Sequence, residues 1–451
     1  MGSSAIFELA TPFLDTELAE LDFDQSADVV LLTHINHKPQ QLSRYGHTQW
    51  ILADAAFGTT TTAPTGVVVT PTYSVPGTPE SYGYVVTAID ATTGRESLAS
   101  TASSAINDLS LDGNFNTITW SAVAGSDRYN VYRDLNGIYG FVGGSAGLTF
   151  RDDNIVPDLS LTPPGDREPF PDAPNYPARI TFHDQRAYFG RTLSKPNGIY
   201  GSQSADFLNF NVSRPARASD AITLGLNARQ VNTIQHLVPM KVLVALTDTA
   251  VFSISGSDGY LTPTNPVTKV EGYRGASSVR PVLIDDICMY ATAKGSSIRT
   301  IGYQFDRDGY RGNDLCVFVP QFFQSFKVTA MAWAEHPTST LWCVRNDGKV
   351  AALTWQAEQD VWGWSLIDTD GDIEDVCVIT ENGIDQAYFG VKRTINGQAK
   401  RFTERLADPL WKDVEDANYV DASLRYSGDP ATVFTGLDHL EGRTVDILAD
   451  G

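Results

Sequence analysis

Asp184-Gln-Arg-Ala-Tyr-Phe-Gly190 returns near the other end of the chain as Asp385-Gln-Ala-Tyr-Phe-Gly390. Each copy is a short apolar run opened by polar turn formers, as expected of a strand that follows a tight turn. Between residues 180 and 406 such runs keep recurring, as in Val242-Leu-Val-Ala-Leu246, Val251-Phe-Ser-Ile254 and Thr340-Leu-Trp-Cys-Val344. Asn346-Asp-Gly348 turns the chain into Lys349-Val-Ala-Ala-Leu-Thr-Trp355, much as Thr247-Asp-Thr249 turns it into Ala250-Val-Phe-Ser-Ile254. Strand, turn and aromatic strand repeat roughly every 40 to 50 residues, about five times, and that period suggests the blades of a β-propeller. Residues 25–57 read as a further unit, with strands over 28–33 and 38–52. Helical periodicity is nearly absent. The best short candidate is Asp15-Thr-Glu-Leu-Ala-Glu-Leu21, a turn or two capped by Asp15.

The bulk composition agrees with an all-β chain. At 451 residues the length suggests about three domains. Only 19% of residues are charged, while 37 Gly, 23 Pro and 10% aromatics supply turns and a core. The net charge of −21 disfavours a phosphate-binding surface. It keeps the protein soluble, and it suits a surface past which DNA must slide without sticking. The start, Met1-Gly-Ser-Ser-Ala-Ile-Phe-Glu8, shows no basic and apolar leader, and no apolar run is long enough to span a bilayer. Cys288, Cys316, Cys343 and Cys377 form no CxxC pair, and their apolar flanks read as buried strand thiols in a reducing compartment.

Residues 62–165 interrupt the repeats. Gly58-Thr-Thr-Thr-Thr-Ala-Pro64 reads as a flexible linker on one side, and Thr162-Pro-Pro-Gly-Asp-Arg-Glu-Pro-Phe-Pro171 as a stiff one on the other. Between them, Asn116-Thr-Ile-Thr-Trp120 and Arg128-Tyr-Asn-Val-Tyr-Arg133 resemble strands B and C of a fibronectin type III domain. Tyr82-Gly-Tyr-Val-Val-Thr-Ala-Ile-Asp90 and Gly94-Arg-Glu-Ser97 resemble strands F and G. Alternation puts Trp120, Tyr129 and Val131 on one buried face. The F/G-like part precedes the B/C-like part, which leaves a permuted sandwich or two partial ones that pair.

Several stretches resemble the nozzle, or tail tubular B, proteins of short-tailed bacteriophages and related tail hub proteins. They are Phe7-Glu-Leu-Ala-Thr-Pro12 with Gln25-Ser-Ala-Asp-Val29, and His34-Ile-Asn-His37 with Pro39 and Leu42-Ser-Arg44. Arg186–Gly190 with Ser202-Gln-Ser-Ala-Asp-Phe207, Asp308-Gly-Tyr-Arg-Gly-Asn-Asp-Leu315 and Gly436-Leu-Asp-His-Leu-Glu-Gly-Arg-Thr-Val445 are the others. The resemblance implies a propeller-containing part of the virion tail, made in the host cytoplasm and assembled as a homo-oligomeric ring, commonly sixfold. Its partners would be the tail adaptor and the tail fibre or spike proteins. DNA would pass through its channel without sequence-specific binding, and the chain would not insert into a membrane.

Chemistry finds little purchase in the sequence. His34, His37 and His47 lie near a turn, where a strand-end role outweighs a metal site. Asp306-Arg-Asp-Gly-Tyr-Arg-Gly-Asn-Asp314 and Asp368-Thr-Asp-Gly-Asp372 lack the spacing of a calcium loop and read as turns. Ser110-Leu-Asp-Gly-Asn-Phe-Asn-Thr117 is not a sialidase-type box, and no GxSxG, Walker or GxGxxG motif occurs. Trp362 and Trp364 are expected to pack in the core. No catalytic, cofactor-binding or metal residue is assigned, and the chain does not read as an enzyme.

The expected organisation has four parts. An N-terminal segment with the first propeller strands spans 1–61, and a fibronectin III-like insert spans 62–165. The main β-propeller spans 166–419. A further β segment starts over 420–451, with strands at 420–426 and 444–450, and looks truncated. The function expected is a phage tail component of the DNA-ejection channel. The alternative is a propeller-plus-sandwich module that binds cell-surface glycans.

Overall fold

The computed structural model describes residues 8–59, 61–227, 232–294, 297–359, 361–407, 411, 420–423, 426, 428–437 and 440–447. The first sheet is β1 (Asp22–Ser26), β2 (Val29–His34), β3 (His37–Gly46) and β4 (Gln49–Asp54), paired in chain order. The insert supplies β5 (Val68–Thr72), β6 (Glu80–Asp90), β7 (Ser103–Asn107), β8 (Phe115–Thr119), β9 (Ser126–Leu135), β10 (Ile138–Ser145) and β11 (Thr149–Asp152). After β12 (Thr162–Gly165) the second sheet joins β13 (Arg179–His183), β14 (Arg186–Gly190), β15 (Gly198–Gly201) and β17 (Ile222–Gly225), while β16 (Val212–Arg214) pairs with β12. The third is β18 (Ile234–Pro239), β19 (Leu243–Thr247), β20 (Val251–Gly256) and β21 (Pro266–Gly272). The fourth is β22 (Val282–Ile284), β23 (Ile287–Ala291), β24 (Ile298–Gln304) and β25 (Gly309–Arg311). The fifth is β26 (Val328–Ala334), β27 (Thr340–Arg345), β28 (Val350–Gln356) and β29 (Val361–Ile367). The sixth has three strands, β30 (Asp372–Glu381), β31 (Ile384–Ile395) and β32 (Gln398–Arg405). The chain is therefore all-β, a series of up-and-down meanders of the propeller-blade type with a sandwich inserted after the first.

Two compact units divide these meanders, Met1–Leu243 with Ile254–Lys269 and Val244–Ser253 with Val270–Gly451. In the first unit β1 lies beside β13, and β13 beside β18; in the second β22 lies beside β26, and β26 beside β30. Within each unit, opening strands of successive meanders are thus neighbours, as they are between adjacent propeller blades. Between β1 and β13 carboxylates serve in place of a ladder. Asp24 Oδ2 accepts from Phe182 N at 2.8 Å and Thr181 Oγ1 at 3.1 Å, and Asp22 Oδ2 accepts from Ile180 N at 3.2 Å.

The repeated Ala-Tyr-Phe-Gly is the second strand of its meander in both places, with Ala187, Phe189, Ala387 and Phe389 buried. The preceding turns differ. Asp184 and Gln185 make the two-residue turn of the first copy, at φ 43° and 60°. In the second copy Asn382 and Gly383 make it, at φ 52° and 80°. Both turns are of the hairpin type that requires positive φ at two successive positions. Asp385 therefore sits in the strand, where Oδ1 accepts from Thr380 Oγ1 at 2.7 Å and Oδ2 from Glu335 N at 2.8 Å.

The insert is one sandwich. Its sheets run β10-β9-β6-β7 and β11-β8-β5. The F-like β6 lies between the C-like β9 and β7, and the B-like β8 is central to the other sheet. These are immunoglobulin-type neighbour relations reached in a permuted chain order. The G-like stretch 94–97 is not a strand and makes only an isolated bridge from Glu96 to Ile89. Trp120, Tyr129 and Val131 are buried with Tyr84, Val86 and Ile118 in its core. Arg133 Nη1 and Asp152 Oδ2 pair at 2.8 Å inside it, and the Tyr84 hydroxyl donates to the same oxygen at 2.7 Å.

The insert's borders are not the linkers the composition suggests. Gly58 N donates to Leu208 O at 2.9 Å, and Thr61 is buried. Thr162–Gly165, read as a stiff linker at the end of the insert, is instead a strand paired with Val212–Arg214 beyond it. Phe57 and Phe170 flank the insert and pack edge to face at 5.5 Å, and both contact Phe189 and Phe210. Arg95 Nη1 meets Asp206 Oδ2 at 2.8 Å, and Arg217 Nη2 meets Glu96 Oε2 at 3.4 Å, tying the sandwich to the second meander.

Two further expectations change. The short helix is a 3-10 helix over Asp15–Glu20 whose N-cap position is Leu14, because Glu17 Oε2 accepts from Leu14 N at 3.0 Å. No strand forms among the described residues of 420–451, and parts of the stretches 420–426 and 444–450 lie outside the described residues. Val420, Val433 and Ile447 are exposed, and a strand needs a neighbour to take its backbone hydrogen bonds.

Two substitutions test this packing. Asp152→Ala leaves the Arg133 guanidinium buried and uncompensated, and is expected to destabilise the sandwich by about 3–5 kcal/mol in chemical denaturation. The Asp385 carboxyl is held below its ordinary value by the Thr380 hydroxyl, then by the N–H groups of Glu335 and His336. Its contribution to stability is therefore present above the ordinary carboxylate value and lost as pH falls through the depressed one. The stability gap between wild type and Asp385→Asn should narrow in acid, read as thermal midpoints across a pH series.

Candidate functional site

The hairpin of β2 and β3 turns through Ile35 and Asn36, so His34 and His37 are directly paired across it. A register shift between Leu32 and His34 accommodates Pro39, which cannot donate to a ladder. The pairing sets the two imidazoles side by side, with ring centroids 5.3 Å apart. Glu17 reaches them from the 3-10 helix, and its Oε2 lies 2.7 Å from His37 Nε2. Asn36 Nδ2 donates to Glu17 Oε1 at 3.2 Å and orients the carboxylate. Phe13 stands edge-on to both imidazoles, at 6.4 and 5.2 Å. Glu17, His34 and His37 are the group of metal-capable side chains that converges among the described residues, with donor atoms all within 4.8 Å of one another. The Leu14 N–H and the His37 hydrogen bond lower the Glu17 carboxyl to about 2. Burial lowers His34 and favours the neutral ring.

The strand-end position expected of the histidines is what the hairpin provides, and it brings two of the three together. His47 lies beyond the far end of the ten-residue β3, where its Nδ1 faces Arg44 Nη2 at 3.4 Å. Glu17 had no signal of its own. Its stretch is distinguishable only as a short turn, and nothing in sequence spacing links it to a hairpin some twenty residues on.

A second feature lies in the second unit, a cavity of about 300 Å³ between the fourth and fifth meanders. Trp355 and Trp362, cross-strand partners on β28 and β29, form one wall. Asp286, Tyr303, Arg311 and Asp314 supply polar groups to the lining. Trp362 is 43% exposed and does not pack in the core as expected. Trp364 does, against Phe323 at 4.9 Å, with its Nε1 donating to Leu315 O at 2.8 Å. The two lie on the same face of β29, and position along the strand separates them: Trp362 pairs with Trp355 near the start of β29, whereas Trp364 pairs with Leu353 and reaches Phe323.

The acidic loops hold the partners that turns need. Asp308 adopts the left-handed conformation, and its Oδ1 accepts from the Tyr303 hydroxyl at 2.8 Å. Asp314 pairs with Arg299, Asp368 with Lys349, Asp370 with Arg443 and Asp372 with Lys392. Cys288, Cys316 and Cys343 are buried, and burial raises their thiols, Cys288 and Cys316 to about 12. Cys316 lies in a turn, and Cys377 is exposed on β30, so the expectation of buried strand thiols fails for these two.

No protein family model matches the chain, and no curated protein matches it. Among solved structures, the WD40 repeats of RRP9 are similar over 82% of this chain and 86% of that one, with 12% identity and a TM-score of 0.33. A likeness that distant carries no argument about what the chain does.

Proposed function

We propose that this chain is a structural component of a bacteriophage tail, a nozzle-type ring subunit at the end of the tail through which DNA leaves. The observation that carries this reading is a set of large apolar side chains standing exposed on an acidic chain. Phe305 is 89% exposed and Phe318 82%, with Val317 beside it, all in or just after the fourth meander. Exposed aromatic side chains of this size can anchor a protein neighbour. In this reading the neighbours are copies of the same chain, a tail adaptor and fibre or spike proteins. The resemblance of Arg186–Gly190, Ser202–Phe207 and Asp308–Leu315 to tail nozzle proteins supports it. A net charge of −21 suits a wall that repels DNA phosphates. No helix among the described residues is long and apolar enough to cross a membrane. The work is mechanical, so interfaces rather than a reactive group carry it.

Gold-labelled antibodies raised against the chain should decorate the tail tip of purified phage particles; unlabelled particles, with the protein only in soluble lysate, would sink the proposal. Phe305→Ser combined with Phe318→Ser should lower the self-association seen by sedimentation at least tenfold while the thermal midpoint stays within a few degrees.

The cavity beside Trp355 and Trp362 favours a second reading, a module that binds glycans, since an exposed indole can stack on the C–H face of a sugar while Asp286 and Asp314 accept from its hydroxyls. On that reading a glycan array returns discrete hits that disappear in Trp362→Ala, and an array without hits removes it.

A further inference from the structure

We propose that Glu17, His34 and His37 form a binding site for a divalent cation of the zinc class, which clips the 3-10 helix onto the first hairpin. The proposal is independent of the tail reading. Two nitrogen donors and one carboxylate are a common protein set for zinc, with a fourth position left to water. These three come from two separate segments, and their donor atoms already lie within 4.8 Å of one another. Tetrahedral zinc at about 2.0–2.2 Å from each donor sets its ligand atoms about 3.3–3.6 Å apart, so the widest pair would close by at most about 1.5 Å while Glu17 and His37 would open slightly. The 2.7 Å contact between Glu17 and His37 shows that two of them approach closely already.

The surroundings also suit a metal. His34 is buried, and the His37 and Glu17 side chains retain only 23% and 15% exposure, so an ion would be largely enclosed yet reachable. The Asn36 amide fixes the second carboxylate oxygen, which is the kind of outer contact that orients a ligand. Phe13 forms an apolar wall on one side. At His34 a metal on Nδ1 would displace one long bond, 3.3 Å, from the Asn36 N–H. At His37 a metal on Nε2 would come between that nitrogen and Glu17 Oε2, now 2.7 Å apart.

The site is not conspicuous, because a plain Glu–His hydrogen bond needs the same two groups. The third donor separates the two explanations. A Glu–His pair alone has no need of His34, whereas a cation site draws all three together.

The test uses the full chain, stripped with chelator and titrated with zinc chloride by calorimetry. One ion per chain is expected, with affinity lowered at least tenfold in Glu17→Gln and in His37→Gln and unchanged in His47→Gln. Uptake indifferent to Glu17→Gln and His37→Gln, or no uptake, would overturn the proposal. Circular dichroism checks that each variant keeps its strands. Where one does not, histidine-ring NMR of the wild type decides: zinc should move the resonances of two rings together, and unmoved rings count against the site.

Discussion

The edge-to-face contact of Phe57 with Phe170 holds the architecture together at its most demanding point. A sandwich of about a hundred residues leaves the chain between the first and second meanders, and the ends it leaves from must stay together. The cost of closing a longer loop grows only slowly with its length. Most of the difficulty lies in fixing the two ends. Phe57 and Phe170 fix them, and with Phe189 and Phe210 they build a four-ring cluster in which each close pair adds about 0.5–1.5 kcal/mol beyond the area it buries. With the root closed, β1 can lie against β13 as though nothing had been inserted.

The acidity of the chain has a second face. Read as composition it speaks of solubility and of repelling phosphate. In the structure many carboxylates are spoken for by backbone N–H groups. Asp22 and Asp24 receive the N–H groups of β13, Asp385 those of Glu335 and His336, and Asp220 those of Ser213 and Arg217. An ionised carboxylate is a strong acceptor for such groups. Part of the charge excess is therefore structural, at Asp22, Asp24 and Asp385 where strands of neighbouring meanders meet without a ladder and at Asp220 within a loop of the second meander.

Period-2 patterning made the strands legible because each buries one face or both, and the repeated Ala-Tyr-Phe-Gly marked the second strand of two different meanders. The number of repeats was legible for the same reason. The sandwich was visible through Trp120, Tyr129 and Val131, while its connectivity was not, since local pattern says nothing about which strand pairs with which. Thr162–Gly165 was misread because Pro-Pro-Gly signals a spacer locally, and only β16, some fifty residues later, makes it a strand. Trp362 was misread because aromatic content predicts burial on average and not how far along β29 the core reaches: Trp364, two residues on and on the same face, packs against Phe323. The C-terminal stretches had β-formers, and among the described residues they gain no partner strand, which composition cannot reveal. Of the candidate cation cluster, the place of His34 and His37 beside a turn was legible, but their direct pairing was not. Glu17 was not legible either, because its place depends on a helix packing over that turn.

The insert's attachment has a mechanical consequence. A module joined only by its two covalent strands would swing freely under thermal or hydrodynamic force, like a flag on a line. Here three separated points resist rotation: the aromatic root, the β12–β16 pairing, and the Arg95–Asp206 and Arg217–Glu96 pairs. A torque applied at the far end of the sandwich is shared among them and delivered to the second meander, so the insert acts as a lever arm.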